Sequence, residues 1–339
     1  MYPGKMNKTK STRRNVIFSF DYELYLGAKS GSTDNCVLKP VSELIRILGR
    51  YKVRAVFFID TTWLIKLKEI SSRSKKAETD FYNVVSQIRE LVKAGHYLFP
   101  HLHPHWLNAC YLEDVNQWRL TDYSKYHFHS LNMEEREFLF SSSVAILNEI
   151  IVPIQPDYRP TGYRAGGWSI EPFSDFEPFF RKYGIINDFS KIENCTPYPF
   201  SGNLMKDNRG EFAEFPISKV KLPIINEYLN RLLLKYLWIM NDRGTGDGKG
   251  APEGKYQSNK LQGNNETNMQ QGEMAAIELL TRAKLHAYLK YLKSNPYMQF
   301  IAHPKMLSRH NLNVFQLWMN SAFHRFDIET DFMKMLNVG

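Results

Sequence analysis

The segment VRAVFFID, residues 53–60, is apolar at almost every position, and it limits the fold of this 339-residue chain more than any other stretch. A strand wetted on one side alternates apolar and polar side chains. A strand apolar throughout is covered on both faces, as in parallel sheets. The neighbouring segments can supply the cover. NVIFSFD (15–21) is β-branched and aromatic and reads as a strand. KPVSELIRILGRY (39–51) has a proline near its start and apolar residues at helical spacing. DFYNVVSQIRELVKAG (80–95) is a second helix, with Gly95 suited to its C-terminal cap. HYLFPH (96–101) is a third strand, and a helix follows over about 133–150. Strand and helix in short alternation mean βα units around a parallel sheet or barrel.

Later elements are less regular. EPFFRKYG (177–184) ends a helix, IINDFS (185–190) is a short strand, and GEFAEFPIS (210–218) is another. NEYLNRLLLKYLWIM (226–240) and EMAAIELLTRAKLHAYLKYLKS (273–294) read as helices. The first is apolar enough to pack in the core, or else to face a partner or a membrane surface. Between them, 241–272 is rich in Gly, Asn, Gln and Lys and has almost nothing to bury, which predicts an exposed low-complexity insertion. YMQFIAHP (297–304) is the last strand, with helices to the end.

Composition excludes some classes. No apolar run reaches the roughly 18 residues of a membrane span. The N-terminus is polar and basic, unlike a secretory signal, so a cytoplasmic protein is expected. Of the net charge of +9, Lys5, Lys8, Lys10, Arg13 and Arg14 supply five before the first apolar run. Residues 1–14 therefore read as a basic, flexible tail on a mildly basic body. No zinc finger, RNP-type motif or clear recognition helix is present, which argues against nucleic acid as partner. Cys36, Cys110 and Cys195 are odd in number and widely spaced, as reduced thiols are.

In βα folds the active site lies at the C-terminal ends of the strands. Asp21, Asp60 and His101 fall at such ends. PHLHPHW (100–106) adds His103 and His105, so three of the chain's ten histidines occupy alternate positions. Four stretches collect chemistry: SFDYE (19–23), GHYLFPHLHPHW (95–106), YRPTGYRAGGWS (158–169) and FIAHPKM (300–306). Two imidazoles and a carboxylate can hold a divalent ion and leave a position open for water.

In this order the four stretches resemble the signature motifs of the polysaccharide deacetylase family, the NodB-homology or carbohydrate esterase 4 group, over roughly residues 15–307. The second matches the family spacing with Gly95, His96, His101 and His105 in register, which implies His101 and His105 as metal ligands. The HxHPHW form is nearer to deacetylase-like proteins accompanying surface-polysaccharide synthesis than to secreted chitin deacetylases. The first motif departs from the family's Thr-Phe-Asp-Asp, because Tyr22 follows Asp21 and the second carboxylate arrives as Glu23. An i,i+2 spacing can turn both carboxylates to one side of a strand end. The preferred reading makes Asp21 the base and Glu23 the third ligand; the other makes Asp21 the ligand.

The resemblance also implies an arginine that holds the base carboxylate, Arg164 with Arg159 as rival, and His303 as general acid, with Asp188 as a candidate to orient it. Gly166 and Gly167 would let backbone N–H groups approach an oxyanion. His103 either contacts substrate or replaces a neighbour as ligand. Trp106, Tyr163 and Trp168 are candidate sugar-stacking platforms, although aromatic residues pack first. His127 and His129 read as surface residues, and Asp60 as a cap for the helix beginning TTWLIKL.

The implied fold is a single-domain α/β protein, an irregular (β/α) barrel of about seven strands over residues 15–339. The implied activity is metal-dependent hydrolysis of an N-acetyl group on an amino sugar, in a polysaccharide or its free or lipid-linked intermediate, releasing acetate. Zn2+ is the default ion, and Ni2+ and Co2+ fit as well. A carbohydrate-binding relative that lost turnover through the Tyr22 change, and an amide hydrolase for a non-sugar substrate, are the alternatives.

Overall fold

The structure is a computed structural model, which describes residues 13–193, 205–206, 212–223, 232–233, 236, 244–250 and 272–336. The first strand, β1 (Arg13–Tyr22), shows how the fold is built. Its side chains alternate across the sheet. Val16, Phe18, Phe20 and Tyr22 point into the main core beneath the helices, and Ile17 points into a second cluster inside the curl. Helix α1 (Lys39–Arg50) starts with Pro40 in its first turn and buries Val41, Leu44, Ile47 and Leu48. Then come β2 (Val56–Asp60), α2 (Thr61–Ser71), α3 (Lys75–Lys93) and β3 (Tyr97–Leu102). All five residues of β2 are buried, as its composition requires.

A small antiparallel pair, β4 (Cys110–Leu112) and β5 (Gln117–Arg119), leads towards α4 (Met133–Ile151), which opens with a capping box from Asn132 and Glu135. Next are β6 (Gly162–Ala165), α5 (Glu177–Tyr183), β7 (Asn187–Asp188), β8 (Met205–Lys206), β9 (Ala213–Glu214), β10 (Lys219–Val220) and β11 (Glu273–Met274). The chain continues through α6 (Leu285–Ser294), β12 (Tyr297–Ala302), α7 (Arg309–Arg325), β13 (Asp327–Glu329) and α8 (Phe332–Leu336).

The central sheet has the order β12-β1-β2-β3-β6-β7-β9-β8, with β13 beside the start of β1. From β12 to β9 every pairing is parallel, and only β8 runs against its neighbour. The sheet curls back on itself. Ser218 N–H donates to Gln299 O (3.2 Å) and Ile301 N–H to Ala275 O (3.0 Å), so the chain around β10 and β11 meets the outer edge of β12. The α/β barrel expected from the sequence is present in this irregular form. Inside, Ile17, Phe58, Phe99, Phe189 and Phe215 fill the lower part, and Phe332 of α8 closes the end. The upper part is polar and opens at the C-terminal ends of the strands.

Some expected elements differ. The long helix over 273–294 is broken: Glu273–Met274 pairs with Lys219–Val220, and only Leu285–Ser294 is helical. Helix propensity is a weak prior, and here the backbone of Ala275 bonds to Ser218 and Ile301, which holds the segment extended. Arg13 and Arg14 are already part of β1, where Arg13 pairs with Glu329 and Arg14 donates to Lys293 O (2.8 Å). Residues 1–12 of the expected tail, Cys195, most of the apolar helix 226–240 and residues 251–271 of the expected insertion lie outside the described residues. The insertion's 244–250 segment is packed, with Gly246 N–H bonded to Lys305 O at 3.0 Å. Cys36 is a buried free thiol and Cys110 an exposed one. Among the described residues, no helix is long and apolar enough to cross a membrane.

Candidate metal and acid–base site

The ends of β1 and β3 use the same device. Tyr22 turns outward and donates from its hydroxyl to Gln87 Oε1 (3.0 Å), so Asp21 and Glu23 share the inner side. Leu102 joins an apolar cluster behind β3, so His101 and His103 share the inner side. Their ring atoms converge. Glu23 Oε2 lies 2.7 Å from His103 Nε2 and 3.4 Å from His101 Nε2, and the two imidazole nitrogens are 3.0 Å apart. His101 Nδ1–H donates to Arg164 O (2.8 Å), which leaves Nε2 with its lone pair facing the others. Acceptor atoms this close repel unless a proton or a cation sits among them. Their spacing is near the about 3.3 Å between ligand atoms around a tetrahedral ion with bonds of about 2.0–2.1 Å. Glu23, His101 and His103, all buried, form a cluster that could hold a metal ion.

His105, expected as a ligand from the motif spacing, is outside this set. Pro104 opens a tight turn, Pro104–Asn108, that takes the chain off the strand direction. The His105 ring is fully buried, 5.4 Å from the ring of Tyr126 and 5.6 Å, edge on, from that of His103. Burial, with His103 beside it, pushes its imidazole down to about 3. His103, expected at the substrate or as a replacement ligand, stands in the cluster instead.

Asp21 is gripped by Arg164, whose Nη1 donates to Oδ1 at 2.5 Å. The guanidinium is fixed in turn by Phe189 O (3.1 Å), Ser19 Oγ (2.8 Å) and the face of Phe58 (4.1 Å). Burial alone would raise the Asp21 carboxyl, but Arg164, with His101 and His303, holds it below its ordinary value. For Glu23, burial is likewise outweighed, by Lys305 and His103, and the carboxyl sits well below the usual range. Arg159, the rival arginine, donates to Tyr158 O (2.6 Å) at the opposite end of the sheet and does not reach Asp21.

His303 follows β12. Its Nε2 is 3.6 Å from Asp21 Oδ2, and its Nδ1 is 2.7 Å from Glu278 Oε1. Burial disfavours the imidazolium, yet Glu278 and Asp21 more than offset this and raise its pKa. Asp188 is not its partner. That carboxylate accepts from Ser190 N (3.0 Å) and Ser190 Oγ (2.6 Å), and burial pushes it up to about 6.

No protein-family model matches the chain, and no curated protein does. Solved structures do share its architecture. A protein from Mycobacterium smegmatis assigned as a polysaccharide deacetylase superposes with a TM-score of 0.51 at 13% identity, over 99% of this chain and 92% of that one. The chain has the polysaccharide-deacetylase fold. The Puue allantoinase superposes with a TM-score of 0.50 at 12% identity, over 97% of this chain and 91% of its own. The 4-alpha-glucanotransferase from Thermococcus litoralis does so equally well at 12% identity, over 98% of this chain but 41% of the transferase. At such identities the likeness is one of fold, and a deacetylase-type barrel acquires its chemistry from the site it carries.

On this deacetylase-type barrel two expected sugar platforms are core residues. Trp106 is fully buried, with Nε1–H donating to Asp60 Oδ2 (2.6 Å), so neither ring face is open to a ligand. Tyr163 is fully buried, 5.4 Å from the rings of both Phe140 and Phe180. Asp60 caps α2 as expected, accepting from Trp63 N–H (3.1 Å). Trp168 is half-buried over Ile217, Ala276 and Ile301, at the end of a left-handed turn in which Gly167 and Trp168 have φ of 59° and 57°.

No motif or periodicity marks Lys305, Glu278 or Tyr126 as site residues. Lys305 is a single residue beyond the AHP motif, and Glu278 was hidden in a stretch that reads as helix. Tyr126 stands beside His105, and burial, then the Glu23 charge, push its phenol up to about 12.

Proposed function

We propose that this protein is a metal-dependent hydrolase that removes the N-acetyl group of an amino sugar in a saccharide, with Glu23, His101 and His103 as ligands. The observation that carries the reading is the convergence of those three donors beside a carboxylate kept ionised and an imidazole kept basic. Zn2+ suits an imidazole-rich set with a carboxylate. Such an ion, when bound, acts as a Lewis acid on an acyl carbonyl and makes water a better nucleophile at neutral pH.

The protein's own groups supply the proton transfers. Asp21, ionised against Arg164, accepts the proton of the attacking water. His303, held by Glu278, donates a proton to the departing amine nitrogen. Arg164 keeps Asp21 from taking a proton from bulk solvent at neutral pH and fixes its rotamer. The resemblance of the four motifs, with the shared fold, favours a saccharide amide over other amides.

The test is acetate release from N-acetylglucosamine oligomers by zinc-loaded protein, with zinc content measured alongside. Asp21→Asn and His303→Ala should each lower kcat by about 10²–10⁴-fold while zinc stays bound. His101→Ala and His103→Ala should lose the ion, and His105→Ala should keep it. Undiminished turnover without zinc overturns the proposal. Turnover confined to non-sugar amides would make this an amide hydrolase of another class, and sugar binding without turnover would make it a binding relative.

A further inference from the structure

Lys305 is buried, a rare state for a lysine unless it is paired. Its Nζ donates to Glu23 Oε1 (2.6 Å) and Leu24 O (2.7 Å), and lies 5.2 Å over the ring of Tyr25. One carboxylate oxygen of Glu23 is therefore engaged by the ammonium, and the other faces His101 and His103. A strap, residues 244–250, runs across Lys305 and Tyr25. Gly246 N–H donates to Lys305 O (3.0 Å), and Lys249 N–H donates to Lys29 O (2.7 Å).

The strap's glycines are required by contact. A Cβ at Gly244 would sit 2.4 Å from Lys305 O. One at Gly246 would sit 2.6 Å, and one at Gly248 2.5 Å, from the ring of Tyr25. Between them Asp247 faces the other way and accepts from Ser32 N–H (2.7 Å), Ser32 Oγ (2.8 Å) and Asn35 Nδ2 (3.0 Å). Thr245 Oγ1 donates to Asn35 O (2.8 Å).

We propose that Lys305 is a positioning residue that makes Glu23 a one-oxygen ligand, and that the 244–250 strap is the clamp that keeps Lys305 there. The inference rests on the proposed metal site. A carboxylate with both oxygens free can grip a cation with either one or two of them, whereas Oε1 held by an ammonium that is itself anchored on Leu24 O leaves only Oε2. The open coordination position is then reserved for water and substrate.

Cobalt(II) reports coordination number directly, since four-coordinate Co2+ absorbs visible light several-fold more strongly than five- or six-coordinate Co2+. The full chain is loaded with Co2+ alone and its visible spectrum recorded together with metal content. The wild type should bind one ion per chain with an intense band. Lys305→Met should still bind Co2+, but with a band several-fold weaker, because Oε1 is released to the ion. Lys305→Arg, which can still donate to Oε1, should restore the intense band. Asp247→Ala, remote from the ion, should weaken the band by freeing the strap. An unchanged spectrum in Lys305→Met overturns the role of Lys305, and an unchanged spectrum in Asp247→Ala overturns the clamp. If Lys305→Met does not fold, the Arg and Asp247 variants decide. A wild type that takes up no Co2+ overturns the metal site itself, a distinct failure.

Discussion

Glu278 lies 2.7 Å from His303 Nδ1, and that contact gives the site a testable pH dependence. The imidazolium is disfavoured by burial and favoured more strongly by Glu278 and Asp21, so the folded-state pKa is raised. A group of this kind stabilises the fold below its unfolded pKa, about 6.5, and that contribution is lost as pH rises through the folded value. As a general acid His303 must carry its proton, so activity should fall on the alkaline side as pH passes the folded pKa. Glu278→Gln keeps the shape and an acceptor but removes the charge. The alkaline limb of kcat should then move to lower pH, by about one unit for each 1.4 kcal/mol of lost attraction. A limb that stays in place in the pH profile would mean that His303 is not the acid. The place of His303 at the end of β12 could be read from AHP in the sequence; its partner could not, because nothing marks a lone glutamate 25 positions earlier as a neighbour.

At the scale of elements, what could be read from the sequence was whatever periodicity alone controls. The all-apolar β2 and the i,i+2 pair Asp21 and Glu23 behave as strand geometry dictates. The same rule, applied to His101 and His103, points to those two as neighbours on one side of β3; motif spacing pointed instead to His105, which lies past the turn that Pro104 begins. The 273–294 stretch has a real helical pattern, but the bonds that hold Ala275 extended beside β12 come from residues remote in sequence, which periodicity does not register. The turn after β6 is a contact of this kind. A Cβ at Gly166 would sit 2.3 Å from Leu102 O and 2.7 Å from His103 Nδ1. Gly166→Ala should therefore displace His103 and weaken zinc binding by about tenfold to a hundredfold, the usual effect of disturbing a group that orients a ligand. Chelator competition measures this, and an affinity equal to wild type would remove His103 from the ligand set.

The whole molecule is polarised along the strands, with chemistry at one end and a hydrophobic plug at the other. Phe332 closes the far end, its ring 4.6 Å from that of Tyr97 and 5.6 Å from those of Phe189 and Phe215. Asp331 holds the plug in place. It accepts from Tyr97 Oη (2.6 Å), Arg54 Nη1 (2.8 Å) and Met333 N–H (3.2 Å), so α8 is tied to β3 and to the chain entering β2. Burial would raise the Asp331 carboxyl, but the Tyr97 hydrogen bond and Arg54 outweigh it and the folded-state pKa is lowered. Such a group stabilises the fold above its unfolded pKa, about 4, and the contribution is lost as pH falls through the lower folded value. Asp331→Asn keeps the shape and loses the charge. At neutral pH the variant should be less stable than wild type by about 1.5–3 kcal/mol, the range for hydrogen bonds to a charged group, and the difference should shrink as the pH falls below about 4. Urea unfolding of the metal-free proteins at neutral and acid pH reads that difference directly. Because the plug and the proposed metal site occupy opposite ends of the sheet, zinc affinity at neutral pH should be the same in both proteins. A stability difference that persists unchanged into acid would show that the ties of Asp331 act through shape and not through charge.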